Sequence, residues 1–133
     1  MRYRQLQLDW RNLLAVAIFG ALGGLMRYGI GLVIHGSVAT IVVNLSGSFI
    51  LALITYWLGP VSDLPTWAIT GLGTGMIGAF TTFSTFTLDS VHLLASQPVW
   101  GVAYLAVSLV GGFVMAVLGY LFAQKLRGGA DYD

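Results

Sequence analysis

The residues richest in chemistry sit close together: Thr81-Thr82-Phe83-Ser84-Thr85-Phe86-Thr87, preceded by glycines at 71, 73, 75 and 78. Phe83 and Phe86 are three apart, so on a helix they share a face. An aromatic ring carries a positive edge, and an edge aimed at an anion attracts it without a formal charge. Ser84, Thr85 and Thr87 add hydroxyl donors that can replace water lost by a small anion, while weak binding lets it leave. A Phe pair at helical spacing also serves core packing, and Ser and Thr also back-bond to helical carbonyls. A glycine-rich break combined with dense hydroxyls in mid-membrane favours a permeation pathway, because broken backbone in a bilayer survives only where protein buries it or a cavity wets it.

Two more polar side chains lie in otherwise apolar runs. Arg27 stands about two-thirds of the way along the first run, where an arginine at bilayer depth costs roughly 2.5–3.5 kcal/mol. It reads equally as a charge facing a wet vestibule that draws in anions or as a side chain snorkelling to the interface. Asn44, in Val43-Asn44-Leu-Ser46-Gly47-Ser48-Phe49, offers two N–H donors to an anion. Taken alone it is better read as interhelical glue beside small residues. Gly20-Ala-Leu-Gly-Gly24 and Gly71-Leu-Gly-Thr-Gly75 are small-xxx-small pairs that predict close helix packing and oligomerisation.

These groups need a membrane scaffold to position them. Of 133 residues, 57% are hydrophobic and 8% charged, and mean hydropathy is +0.85. A soluble domain carries about 25% charge, so the composition is that of an integral membrane protein. The absence of cysteine excludes disulfides and thiolate metal sites. The net charge of +1 argues nothing about nucleic acid, but there is no basic face to hold a phosphate backbone, so no nucleic-acid partner is expected. The apolar run after Arg11 is too long for a signal peptide and ends in Arg27-Tyr28 without a small-residue cleavage site.

The pattern predicts one domain of four spans, at about 13–34, 38–58, 67–96 and 99–123, the third broken near 78–85. Trp10, Trp57, Trp67 and Trp100 all fall at span ends, as an interfacial aromatic belt does. Short connections make neighbouring helices antiparallel. Arg2, Arg4, Arg11, Lys125 and Arg127 flank the two termini, and the opposite loops carry no Lys or Arg, which favours cytoplasmic termini. Asp9 stands where it could cap the first helix, although the wet interface explains it more simply.

Over about Leu13 through Phe122 the chain resembles the small bacterial fluoride channels, the Fluc or CrcB family. The carriers are Gly23-Gly24-Leu-Met-Arg27-Tyr28, Asn44-Leu-Ser-Gly47-Ser-Phe49 and, most specifically, Gly75-Met-Ile-Gly78-Ala-Phe-Thr-Thr-Phe-Ser-Thr-Phe86. Tyr104 and Ser108 match the family's polar lining more loosely. The resemblance implies an antiparallel dimer of four-helix subunits with two fluoride pores along the interface. It casts Phe83 and Phe86 as an aromatic box, Asn44, Ser84, Thr85, Tyr104 and Ser108 as a hydrogen-bonding track, and Arg27 as the vestibule charge. It also implies a structural Na⁺ at the dimer interface, held by the carbonyls of Gly78 and Thr81 from each subunit. Transport would be passive export of cytoplasmic fluoride across the bacterial inner membrane, by a non-enzyme.

Two positions depart from the family pattern: Asp89 stands where a Glu is common, and Gly112 where a serine is common. The one-sided basic residues raise a heterodimer with an oppositely biased paralogue beside the favoured homodimer. A small multidrug exporter is a rival, but it needs a membrane carboxylate, and this chain has no Glu and only Asp89 late in span three. A non-transporting membrane subunit explains the glycines but not an arginine, an amide and a hydroxyl-rich break together.

Overall fold

The computed structural model describes residues 9–61 and 63–128, and among them every regular element is a helix. Helix α1 covers Trp10–Val33, and α2 covers Ser37–Leu58, its last turn widened to π-helix over Ile54–Leu58. Helix α3 covers 66–80, α4 covers Phe83–Ser96 and α5 covers Pro98–Gly128. Three of these, α1, α2 and α5, are long and apolar enough to cross a membrane. Helices α3 and α4 are individually too short and meet at two extended residues, Thr81 and Thr82.

Asp9 caps α1, its Oδ1 accepting from Arg11 N at 3.0 Å, while remaining exposed. The carboxylate therefore serves the helix end as well as the interface, because an Asp at N-cap satisfies an otherwise free backbone donor. Gly36, with φ of 70°, opens the turn into α2 in a conformation that favours glycine. The third helix stops at Phe80 and restarts at Phe83, inside the window expected from the glycine and hydroxyl pattern.

Helix α2 is the most enclosed spanning helix: 28% of its most apolar window is buried, against 11% in α1 and 6% in α5. It packs chiefly on α5, where Tyr56 meets Tyr120 edge-on at 4.9 Å and Phe49 lies 6.3 Å from Phe122. Helix α1 packs on the π-helical stretch Gly71–Ile77 within α3. A Cβ at Gly75 would stand 2.9 Å from Val16 O, and one at Gly23 would collide with the Met76 carbonyl. Of the predicted 20–24 pair, Gly20 lies at ordinary contact distance, Gly24 faces open space, and Gly23 between them makes the close approach. Small residues let the two backbones touch, which is how helices bind each other without a hydrophobic gradient.

Candidate functional site

The break between α3 and α4 is where the predicted site residues converge. Thr81 N still reaches Ile77 O at 3.0 Å, completing the last α3 hydrogen bond. One residue later the ladder is diverted. Thr82 N, which in a continuous helix would bond Gly78 O, donates instead to Asn44 Oδ1 at 2.8 Å, and Asn44 Nδ2 donates back to Thr82 O at 2.9 Å. The side-chain amide thus stands in for the missing backbone partners on both sides of one residue. Thr82 then starts α4 as its N-cap: its hydroxyl accepts from Thr85 N at 3.2 Å and donates to Thr85 Oγ1 at 2.9 Å. Ser84 Oγ lies 3.3 Å from the same hydroxyl.

Arg27 is held by the backbone of the break. Its Nη1 donates to Thr81 O at 3.1 Å, tying α1 to the break. The guanidinium lines a cavity of about 360 Å³ together with Thr40, Thr82, Thr85 and Asp89. The side chain is thus turned towards the break, into a cavity that it shares with hydroxyls and a carboxylate.

Asp89 is the hub of the far wall. Its Oδ2 accepts from Thr40 Oγ1 at 2.7 Å and from Tyr104 OH at 3.3 Å. Thr40 was not among the sequence candidates, yet it sits one turn before Asn44 on α2, so helical spacing alone puts the two on one face. Phe86 lies between two other rings, 5.9 Å from Phe83 and 5.7 Å from Tyr104. The aromatic series runs outward: Tyr104 is 5% exposed and Phe83 is 79% exposed. Ser108, one turn beyond Tyr104, keeps a buried hydroxyl with no partner among the described residues. Another turn on, a Cβ at Gly112 would stand 3.8 Å from Ser48 Oγ, so a hydroxyl from α2 lies beside this position of α5.

Gly78 and Thr81 face the opposite side of the break. Both line a groove of about 660 Å³ that also contains Asn44, Ser48, Thr70 and Thr74. Gly78 is exposed, with nothing within 4 Å of a built Cβ, and its carbonyl has lost Thr82 N as a donor. That suits a carbonyl ligand for a hard cation. Thr81 O fits less freely, because Arg27 already occupies one of its two lone pairs.

The break and its partners thus assemble a charged vestibule, a helix-stabilising amide clamp and a seam of rings and hydroxyls. The described residues contain no group of three or more His, Cys, Asp or Glu side chains able to hold a metal. The arrangement sets the Arg27 charge, N–H and O–H donors and aromatic rings beside the Asp89 carboxylate, which Thr40 and Tyr104 bond, and among the described residues it holds no group placed for bond making. The chain matches the family model described as "CrcB-like protein, Camphor Resistance (CrcB)" over residues 14–120. The fluoride-specific ion channel FluC 2 of Ligilactobacillus salivarius is 49% identical over 115 residues, covering 86% of this chain and 87% of that protein. FluC 2 of Listeria innocua is 46% identical over 124 residues, covering 90% and 96% respectively. FluC 1 of Bacillus cereus is 44% identical over 119 residues, covering 84% and 86%. Since the matched region takes in Arg27, Asn44, the whole break and Ser108, this chain belongs to the CrcB-like family.

Proposed function

We propose that this chain is a passive, fluoride-selective channel that lets fluoride leave the bacterial cytoplasm through the inner membrane. Relatives named as fluoride-specific ion channels, at 44–49% identity over most of both chains, support the choice of ion. The observation that carries the mechanism is the vestibule where Arg27, Thr82, Thr85 and Asp89 enclose the start of α4. Arg27 raises the local anion concentration, and low-dielectric walls focus its field. The ion then trades water for hydroxyl and amide donors and for the ring edges of Phe83 and Phe86. Asn44 keeps one Nδ2 hydrogen for that track, since its other hydrogen and its oxygen hold Thr82. No covalent step is required.

The α3–α4 pair acts as the third of four crossings. Laid end to end the two helices reach roughly 40 Å at about 1.5 Å per residue, enough for a ~30 Å hydrocarbon core. The functional unit is an antiparallel homodimer, with the open groove beside Gly78 and the exposed ring of Phe83 meeting a second copy. A structural Na⁺ at that interface would be held by the backbone carbonyls of Gly78 and Thr81 from both subunits, where it would offset carbonyls left open by the break. An exporter using Asp89 as a proton carrier is disfavoured, because Thr40 and Tyr104 already bond that carboxylate.

Liposomes containing only the purified chain test this directly with a fluoride electrode and a chloride control. Rapid fluoride loss with chloride retained is the expected result. If flux appears only after co-expression with an oppositely biased relative, the channel is a heterodimer; if neither preparation conducts, the proposal fails.

A further inference from the structure

We propose that a cleft beside the first turns of α1 holds one anionic phospholipid, its phosphate on the Arg11 guanidinium and an acyl chain along Leu14 and Ile18. The cleft measures about 340 Å³ and is also lined by Phe19 and by the indoles of Trp10 and Trp67. Arg11, Leu14 and Ile18 follow at helical spacing, so they form one stripe down α1 from a charge to an apolar floor. From Arg11 to Ile18 the stripe descends roughly 10 Å at about 1.5 Å per residue, into the upper acyl region. Leu14 and Ile18 are 51% and 60% exposed, so the subunit itself leaves this floor uncovered.

Depth and charge select the occupant. Trp10 and Trp67 come from different helices and both edge the cleft, which sets its mouth at headgroup level, where indoles prefer to lie. The Arg11 guanidinium is held 5.8 Å from the centroid of the Trp10 ring. Asp9 does not neutralise it through its described bond, because the Asp9 carboxylate accepts from the Arg11 backbone N–H. A guanidinium suits a phosphate because its donor fork can engage two oxygens. A zwitterionic lipid brings its own ammonium to the same place, so a lipid with net negative charge binds better. None of these residues belongs to the break or its vestibule, and the inference is independent of which ion is transported.

The test uses the full chain carrying W57F and W100F, so that fluorescence reports Trp10 and Trp67 alone. It is reconstituted in phosphatidylcholine with equal mole fractions of brominated phosphatidylglycerol or brominated phosphatidylcholine. Preferential quenching by the anionic lipid is expected, with an apparent affinity roughly fivefold higher, the factor that about 1 kcal/mol per basic side chain at an anionic surface corresponds to. Arg11→Gln should remove that preference and Arg11→Lys should retain most of it. Native mass spectrometry of the unmodified protein and its Arg11→Gln form, counting retained phosphatidylglycerol, gives the same comparison without touching tryptophan. Equal quenching by both lipids, or a preference that Arg11→Gln leaves intact, overturns the proposal.

Discussion

Asn44 and Thr82 exchange two hydrogen bonds, 2.8 and 2.9 Å long, across 38 residues of sequence. Each bond satisfies a backbone group that the break in the third segment would otherwise leave open in the membrane. The amide therefore does the work of a helix ladder at the one place where the ladder stops.

Replacing Asn44 with Ala should cost about 3 kcal/mol, because two buried backbone groups lose their partners together. Asn44→Asp should be as damaging, since it keeps an acceptor for Thr82 N but sets a carboxylate oxygen against Thr82 O. Thermal melting in detergent measures the stability loss, and liposome efflux should fall because the break that positions Thr82 and Thr85 is no longer held. Normal melting and flux in Asn44→Ala would show that the clamp is dispensable.

Arg27 reaches Thr81 O and also charges the vestibule, and the two roles separate by salt. Arg27→Gln should cut fluoride flux several-fold at low ionic strength. The gap to wild type should narrow towards 1 M salt, where the screening length shrinks to about 3 Å. Arg27→Lys keeps the charge and should keep most of the flux. A deficit unaffected by salt would leave only the structural role.

Phe83 is exposed in the subunit, whereas Phe86 packs between two rings. Phe83→Ala should therefore leave the subunit's fold intact while lowering fluoride flux. Phe86→Ala should do both, with a stability loss of about 2–3 kcal/mol, below the 3–5 kcal/mol of a fully buried ring because Phe86 is only half-buried. Fluoride efflux paired with size-exclusion profiles distinguishes a damaged pore from a damaged fold. If both variants assemble normally and conduct normally, the rings are not part of the pathway.

Gly112 and Gly23 look alike in sequence and should respond oppositely to a side chain. Gly112→Ser has room, with Ser48 Oγ at 3.8 Å from the new Cβ, and should change melting by less than about 0.5 kcal/mol. Gly23→Ala drives a methyl into the Met76 backbone, which cannot rotate away, and should destabilise by about 1–3 kcal/mol. Thermal melting of the two variants side by side checks the contrast.

Much of this protein was legible from the chain alone, because hydropathy and local chemistry act over one or two turns. Apolar run length located three helices long and apolar enough to cross a membrane, and the glycines and hydroxyls between 71 and 87 mark the stretch where the chain breaks at Thr81 and Thr82. The motif pointed to the family to which the chain belongs. What the chain could not show was which distant group each polar side chain would satisfy. The sequence places Arg27 in an apolar run without naming its partner, which is Thr81 O, 54 residues away. Asn44 read first as glue or as an anion donor; its main partner is the backbone of the break itself. Helical spacing sets Thr40 on the face of Asn44, but its partner Asp89, 49 residues on, is fixed only by the packing of the helices. Such pairings depend on how closely α1 and α2 approach the third segment, and that distance is set by which glycines meet a backbone. Gly23 and Gly75 do, and Gly24 does not. Packing between helices is a non-local property, so only the tertiary structure could decide it.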